Sequence, residues 1–259
     1  ELRPWQLTFI AVGLPGFIIV ALLSLLQEPA RTGEADSPDD GHSLTEVRDH
    51  LMNHGRAYGS LMAALSLLSI LGYGTMAWYP EFLIRTFDMG RAEAGGQFGT
   101  LFLVAGSLGT IIGGWSVKPL NDRGYTDAPV RVILFVACLW LVPATLGPLS
   151  PSAGWALLAA VPIVFFLNAY FGVAVAGLQL ITPNRMRAQV SALLLFLTNL
   201  FGLALGPSAV ALLTDFLFGD DLALRYSLMI LPLLVCPAAA LFLFAALRPY
   251  RNALSNEIS

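Results

Sequence analysis

Charge is scarce in this chain. Only 12% of its 259 residues are Asp, Glu, Lys or Arg, about half the share found in an ordinary water-soluble domain. With 56% hydrophobic residues and a mean hydropathy of +0.72, most of the surface must have lipid as its solvent. Cysteine is nearly absent. Cys138 and Cys236 both fall inside long apolar runs and read as packing residues, so no disulfide framework is expected. Histidine is limited to three residues. His50 and His54 lie four apart with His42 nearby, but no cysteine or carboxylate set completes a metal site. The chain has no Walker A, H-E-x-x-H, G-x-S-x-G or G-x-G-x-x-G pattern, so ATP coupling, hydrolysis and dinucleotide chemistry have no signature. No cofactor, no enzymatic activity and no nucleic-acid partner are expected. The first apolar stretch also lacks the basic flank and small-x-small site of a cleaved signal peptide.

What is present is seven apolar stretches, at 5–26, 58–83, 95–117, 130–148, 154–180, 188–214 and 225–247. A spanning helix needs about 20 apolar residues to cross about 30 Å of hydrocarbon, and each stretch meets or nearly meets that length. The expected fold is all-α, a polytopic integral membrane protein with lipid as its principal partner. If the first span runs outside to inside, the inner connections hold Arg31, Arg48, Arg56, Lys118, Arg123, Arg131, Arg185, Arg187, Arg248 and Arg251. The outer ends hold Arg3, Arg85, Arg91 and Arg225. This asymmetry favours a cytoplasmic C-terminus in a bacterial inner or plasma membrane. An odd number of spans and no initial methionine suggest a piece of a longer protein.

The stretch between the first two spans is the longest polar segment. Its first part is turn-rich, and Ser43-Leu44-Thr45-Glu46 has the form of a capping box. Leu44, Val47 and Leu51 follow at helical spacing, which predicts a short amphipathic helix over 44–54 lying along the membrane surface. The expected organisation is a helix over 1–27, a connecting loop over 28–57, six tightly linked spans over 58–247 and a tail over 248–259. Glycine recurs at four-residue spacing in the third span (95/99 and 109/113) and again at Gly202 and Gly206 in the sixth. Glycine is costly in a helix, and small residues at this spacing let helix backbones approach closely within lipid. Polar residues fall in spans two, three, five and six, whereas four and seven are almost purely apolar. That pattern, two cavity helices followed by one outer helix and then repeated, predicts two three-helix repeats.

Several motifs resemble those of a known family. Gly113-Gly114 followed by Asn121-Asp122-Arg123-Gly124 is similar to the G-x-x-x-D-R-x-G signature of the major facilitator superfamily, stretched here by Ser116 to Leu120 and with its following basic residue displaced to Arg131. Trp5-Gln6-Leu7-Thr8-Phe9, Val12-Gly13-Leu14-Pro15-Gly16 and Glu28-Pro29 resemble the sixth helix of its spinster branch. Trp78-Tyr79-Pro80-Glu81-Phe82-Leu83-Ile84-Arg85 resembles the seventh. Pro183-Asn184-Arg185-Met186-Arg187-Ala188 and Gly206-Pro207 through Thr214-Asp215 resemble the tenth-to-eleventh loop and eleventh helix. The resemblance implies helices six to twelve of such a transporter: the last helix of an N-terminal bundle, then a C-terminal six-helix bundle. It also implies a small organic or lysolipid-like amphipathic substrate moved by alternating access, with proton coupling left open.

Individual residues follow from these expectations. Asp122 and Arg123, with Arg185 and Arg187, are candidates for a gate at the inner end. Glu81 and Arg85, an i,i+4 pair in the favourable order, are candidates for one at the outer end. Asp215 is a candidate proton site because an intramembrane carboxylate is functional by default. Tyr73, Asn168, Tyr170, Gln179 and Asn199 are candidate substrate-cavity residues, with ordinary interhelical hydrogen bonds as the alternative for each. A non-transporting membrane receptor or scaffold of the same fold is the competing function.

Overall fold

The computed structural model describes residues 3–25 and 44–258, which form helices and the turns between them, with no strand among the described residues. The capping serine Ser43, His42 and Glu28-Pro29 lie outside the described residues. The chain divides into two compact units, Glu1–Gly41 and His42–Ser259.

In the first unit, α1 (Pro4–Leu23) begins with a proline in its first turn, where the missing N–H costs nothing. The side chain of Gln6 accepts the Arg3 N–H at 2.7 Å. From Val12 to Leu23 the helix is apolar on every side, the pattern of a helix that belongs in lipid or in a protein core.

The second unit holds α2 (Leu44–Asn53) and six longer helices: α3 (Gly55–Phe87), α4 (Arg91–Asp122), α5 (Ala128–Leu146), α6 (Ala153–Leu180), α7 (Arg187–Leu212) and α8 (Leu224–Ile258). All six long helices are of sufficient length and apolarity to cross a membrane. Most overrun the expected spans, because a helix need not stop where the hydrocarbon does. Ser116 to Leu120, which stretch the signature motif, are helical and belong to α4, and Asp122 is its last residue. The expected tail after 247 is likewise a continuation of α8. The helices alternate in direction. One end of the bundle collects the starts of α3, α5 and α7 and carries most of the basic residues; it is called the arginine-rich end below.

Packing follows a two-fold pattern within the bundle. α3 packs most extensively on α7 and α8, α6 packs on α4 and α5, and α5 meets α8. Exchanging α3-α4-α5 for α6-α7-α8 swaps the first four of these pairings in twos and maps α5–α8 onto itself, the arrangement that two three-helix repeats produce. The closest contacts are made by glycine. A methyl at Gly109 would strike the Phe165 carbonyl of α6, and one at Gly113 would strike the Ala169 carbonyl a turn further on. In the other repeat a methyl at Gly206 would lie 2.7 Å from the Ile70 carbonyl oxygen of α3 and 2.8 Å from the Gly74 nitrogen. The Gly95 and Gly99 pair, of the same spacing, meets nothing within 4 Å. Spacing alone therefore does not pick out the packed glycines.

α5 and α8 each bury one face and expose another. Trp140, Ile133, Cys236 and Leu243 are buried, while Phe135, Leu139, Leu241 and Phe244 are exposed apolar side chains. α2 is held to the bundle by buried Val47 and by a 3.0 Å hydrogen bond between His50 Nε2 and the Tyr58 hydroxyl of α3.

Replacing Gly113 or Gly206 by alanine forces backbones apart and should cost about 1–3 kcal/mol, the usual penalty of overpacking. Gly99→Ala should be neutral or stabilising by up to about 1 kcal/mol through helix propensity. Thermal unfolding in detergent, read alongside the yield of monodisperse protein, distinguishes the two classes.

Candidate functional site

A concavity of about 190 Å³ opens between helices near the middle of the bundle. Its wall takes Ser69, Gly72, Tyr73 and Met76 from α3, Phe102 from α4, Leu167, Asn168, Tyr170 and Phe171 from α6, and Thr198 from α7. α5 and α8 contribute nothing to this lining. The four contributing helices are those that carry the polar residues in the sequence.

Local packing explains why these side chains meet here. Gly72 lets the Leu167 side chain approach α3, and Gly106 admits Asn168 beside α4. Asn168 donates to the Val164 carbonyl at 2.9 Å, which satisfies one amide proton and leaves the rest of the group at the wall. Tyr73 donates its hydroxyl proton to Asn199 Oδ1 at 2.7 Å, joining α3 to α7 across the rim. The Asn199 amide nitrogen donates to the Leu195 carbonyl at 2.7 Å, which fixes the orientation of the acceptor. Tyr170 is buried, its ring 6.0 Å from that of Trp140, and its hydroxyl has no hydrogen-bond partner among the described residues. Ser69 Oγ lies within reach of the carbonyls of Ser66 (2.7 Å) and Thr198 (2.9 Å). The result is a wall of neutral hydrogen-bonding groups set in aliphatic and aromatic surface, with no ionisable carboxylate or amine among its lining residues.

Four of the five expected cavity residues thus gather at one place: Tyr73, Asn168 and Tyr170 in the wall and Asn199 at its rim. Gln179 does not. It lies eleven residues beyond Asn168 along α6, about 16 Å at 1.5 Å per residue, and donates to Ser191 Oγ at 3.3 Å near the arginine-rich end. Its polar side chain gave the same sequence signal as Asn168, but only the depth along the helix separates them. Ser69 and Thr198 are wall residues that the candidate set omitted. Their hydroxyls also bond to backbone carbonyls of their own helices, a role that the sequence cannot distinguish from cavity lining.

The expected gate residues divide more sharply. Glu81 and Arg85 form a 2.7 Å ion pair, and Arg85 also lies 3.4 Å from Asp221 ahead of α8, so it links α3 to the last connection at the end opposite the arginine-rich one. Arg187 is a helix cap: its Nε donates to the carbonyls of Gln179 (3.0 Å) and Thr182 (3.1 Å) at the end of α6. Asp122, Arg123 and Arg185 are exposed and have no ion-pair partner among the described residues. Asp215 is exposed in the widened turn Leu213–Phe218 that ends α7. It is sixteen residues past Asn199, roughly 24 Å along the axis, and does not share the concavity.

The charged cluster at the arginine-rich end centres instead on Asp127, which the sequence reading passed over. This buried carboxylate receives Arg131 Nε at 2.7 Å and lies 3.6 Å from Arg251 Nε of the α8 extension. The Arg131 guanidinium also sits 4.4 Å over the Tyr125 ring. Nearby, the Tyr250 hydroxyl donates to the Gly177 carbonyl at 2.7 Å, and that of Tyr58 donates to the Ile181 carbonyl at 2.6 Å. The i,i+4 spacing of Asp127 and Arg131 was the one available sequence signal.

Residues 1–207 match the family profile of the Major Facilitator Superfamily. The chain belongs to the major facilitator superfamily. A relative from Mycolicibacterium smegmatis, described as an MFS-type efflux pump, is 26% identical over 265 residues; the match covers 98% of this chain and 58% of the relative. Among solved structures, a bacterial homologue of the human lysosomal transporter Spinster in an inward-facing, unoccupied conformation superposes with a TM-score of 0.63 at 21% identity. That alignment covers 98% of this chain and 60% of the other. An inward-facing, occupied structure gives a TM-score of 0.56 at 20% identity, covering 98% and 58%. The chain thus shares its fold with the spinster branch that its motifs resemble and spans rather more than half the length of these relatives. It is an integral membrane chain of a transporter family, not an enzyme.

Asp127→Ala leaves Arg131 without its carboxylate partner and frees the α8 extension. Breaking such a buried pair typically costs about 3–5 kcal/mol, reduced here toward about 1–3 because the arginines are part-exposed. In a double-mutant cycle with Arg131→Ala, measured by thermal unfolding, the double variant should lose much less stability than the sum of the two single losses.

Proposed function

We propose that this chain forms one wall of a secondary transporter in which a small organic or amphipathic, lipid-like substrate binds at the α3–α4–α6–α7 concavity. The observation that carries the reading is the placement of neutral polar groups (Tyr73, Asn168, Tyr170) at mid-bundle on the four helices that alternate with the apolar pair α5 and α8. Polar side chains at this depth are costly in lipid and are retained where they face a cavity. A neutral wall suits the apolar or hydroxyl-bearing part of a substrate. Any charged group on the substrate would then be met from the opposite wall.

In this reading residues 1–27 are the last helix of an N-terminal bundle, 28–57 the connection and 58–247 the C-terminal bundle, and the two bundles rock about the site to alternate access. The arginine-rich end faces the cytoplasm, in keeping with the bias of positive charge. Asp127 with Arg131 and Arg251 stiffens that end, and Glu81 with Arg85 and Asp221 stiffens the other. Asp122, Arg123, Arg185 and Arg187 act at the inner gate through their position rather than through pairing with each other. Asp215 remains open as a proton site at the outer surface. The efflux-pump description of the mycobacterial relative agrees with outward movement of substrate.

The test is transport in vesicles carrying the protein together with its preceding coding sequence, assayed with lysolipids and amphipathic organic ions under proton and sodium gradients. Tyr73→Phe and Asn168→Ala should each lower the rate by about 3- to 30-fold at unchanged expression, corresponding to roughly 0.7–2 kcal/mol of lost interaction. Gln179→Ala should have little effect. Absence of substrate movement under every gradient would favour a receptor or scaffold of the same fold.

A further inference from the structure

A second cavity lies well away from the substrate wall. It is a cleft of about 920 Å³ at the arginine-rich end, between the start of α3 and the final turns of α8, with the end of α2 along one side. Its nearest α3 residue, Ser60, stands thirteen residues from Tyr73, about 20 Å along the helix. The cleft is comparable in volume to sites that hold drug-sized molecules.

The chemistry of its lining is one-sided. Arg56 and Arg248 both line it, and among the described residues no aspartate or glutamate does. Both guanidiniums are exposed, and neither has an ion-pair partner among the described residues. Neighbouring arginines differ in this respect. Arg48 is paired with Asp49 at 2.9 Å, and Arg251, three residues beyond Arg248 on α8, is engaged with Asp127. His54 and Asn252 add hydrogen-bonding groups to the same cleft. Ala245 and Pro249, inside α8, also form part of the lining.

The other part of the lining is apolar and continues into the membrane-facing surface. Phe242 lies six residues before Arg248, about 9 Å deeper along α8. It is 43% exposed. Two unpaired guanidiniums at the water boundary, above the apolar strip of the lining that includes Phe242, complement an anionic headgroup attached to an acyl chain. Basic pockets between membrane helices at this depth bind such headgroups. A soluble anion would use the arginines and leave the apolar strip without purpose.

We propose that this cleft is a binding site for an anionic phospholipid, with Arg56 and Arg248 on the phosphate, Asn252 available to headgroup hydroxyls, and an acyl chain along Phe242. It is separate from the transported substrate and ties the connection after α2 to the α8 extension through a lipid. The full chain, purified in a non-ionic detergent, would be titrated with phosphatidylglycerol, phosphatidylcholine or inorganic phosphate. Retained lipid is counted by native mass spectrometry, and stability is followed by thermal unfolding. Phosphatidylglycerol should be retained at one molecule per chain and raise the unfolding temperature, while phosphatidylcholine does neither. Arg56→Gln combined with Arg248→Gln should weaken phosphatidylglycerol retention at least tenfold, and Phe242→Ala by a few-fold. Arg48→Gln, outside the cleft, should leave retention unchanged. Because both cleft arginines are exposed, the double variant should unfold at the same temperature as the parent in lipid-free detergent; if it does not, the two single variants carry the comparison. Equal retention by parent and arginine variants would overturn the proposal. So would displacement of the lipid by millimolar phosphate, which would make the site one for a soluble anion. Retention that appears only after deletion of residues 34–40 would overturn it too, making that acidic segment the occupant.

Discussion

Backbone-to-backbone contact at glycine is the constraint on which the bundle depends. In lipid the hydrophobic effect does not press helices together, so their association rests on close van der Waals packing and a few interhelical hydrogen bonds. Gly109 and Gly113 seat α4 on the Phe165 and Ala169 backbone of α6, and Gly206 seats α7 on Ile70 and Gly74 of α3. These two seams are related by the internal repeat. They bring four helices near enough for Tyr73 to reach Asn199 and for Asn168 to reach the face of α4. A methyl group at either seam would separate the elements that build the concavity.

The two ends of the bundle are tied by different means. At the arginine-rich end the ties are a buried carboxylate with two arginines and two tyrosine hydroxyls donating to carbonyls at the end of α6 and just beyond it, so the starts of α3 and α5 and the end of α8 are all bound to neighbouring elements. At the opposite end the Tyr79 hydroxyl donates to the Ala156 carbonyl at 2.6 Å, and Thr214 donates to Ser227 at 2.8 Å. Mid-bundle, where the polar wall opens, Ser69 and Tyr73 tie α3 to Thr198 and Asn199 of α7.

Much of the fold was legible from residue order. Long apolar runs in a chain poor in charge leave no soluble alternative, and the distribution of polar residues over spans two, three, five and six anticipated which helices line the concavity. The amphipathic spacing of Leu44, Val47 and Leu51 anticipated α2. The site was less legible, for a physical reason. Asn168 and Gln179 are chemically alike and share a helix, yet one reaches the wall and the other ties α6 to Ser191. Gly99 and Gly113 are equally small, yet only one touches a neighbouring backbone. Asp127 and Asp122 lie five residues apart, and the second arginine that makes Asp127 the centre of a charge cluster comes from α8, more than a hundred residues later.

By itself, then, the sequence determined the medium, the type of the long helices and the family, because hydropathy, length and local motifs are properties of contiguous residues. Of the seven expected spans, six are long and apolar enough among the described residues to cross a membrane, and the first is a shorter apolar helix, Val12–Leu23. The tertiary structure alone decided which glycines are seams, which amides face the cavity, which arginines have partners and which line an open cleft. Each of those depends on the rotation and depth of one helix against another, and no single segment encodes that relation.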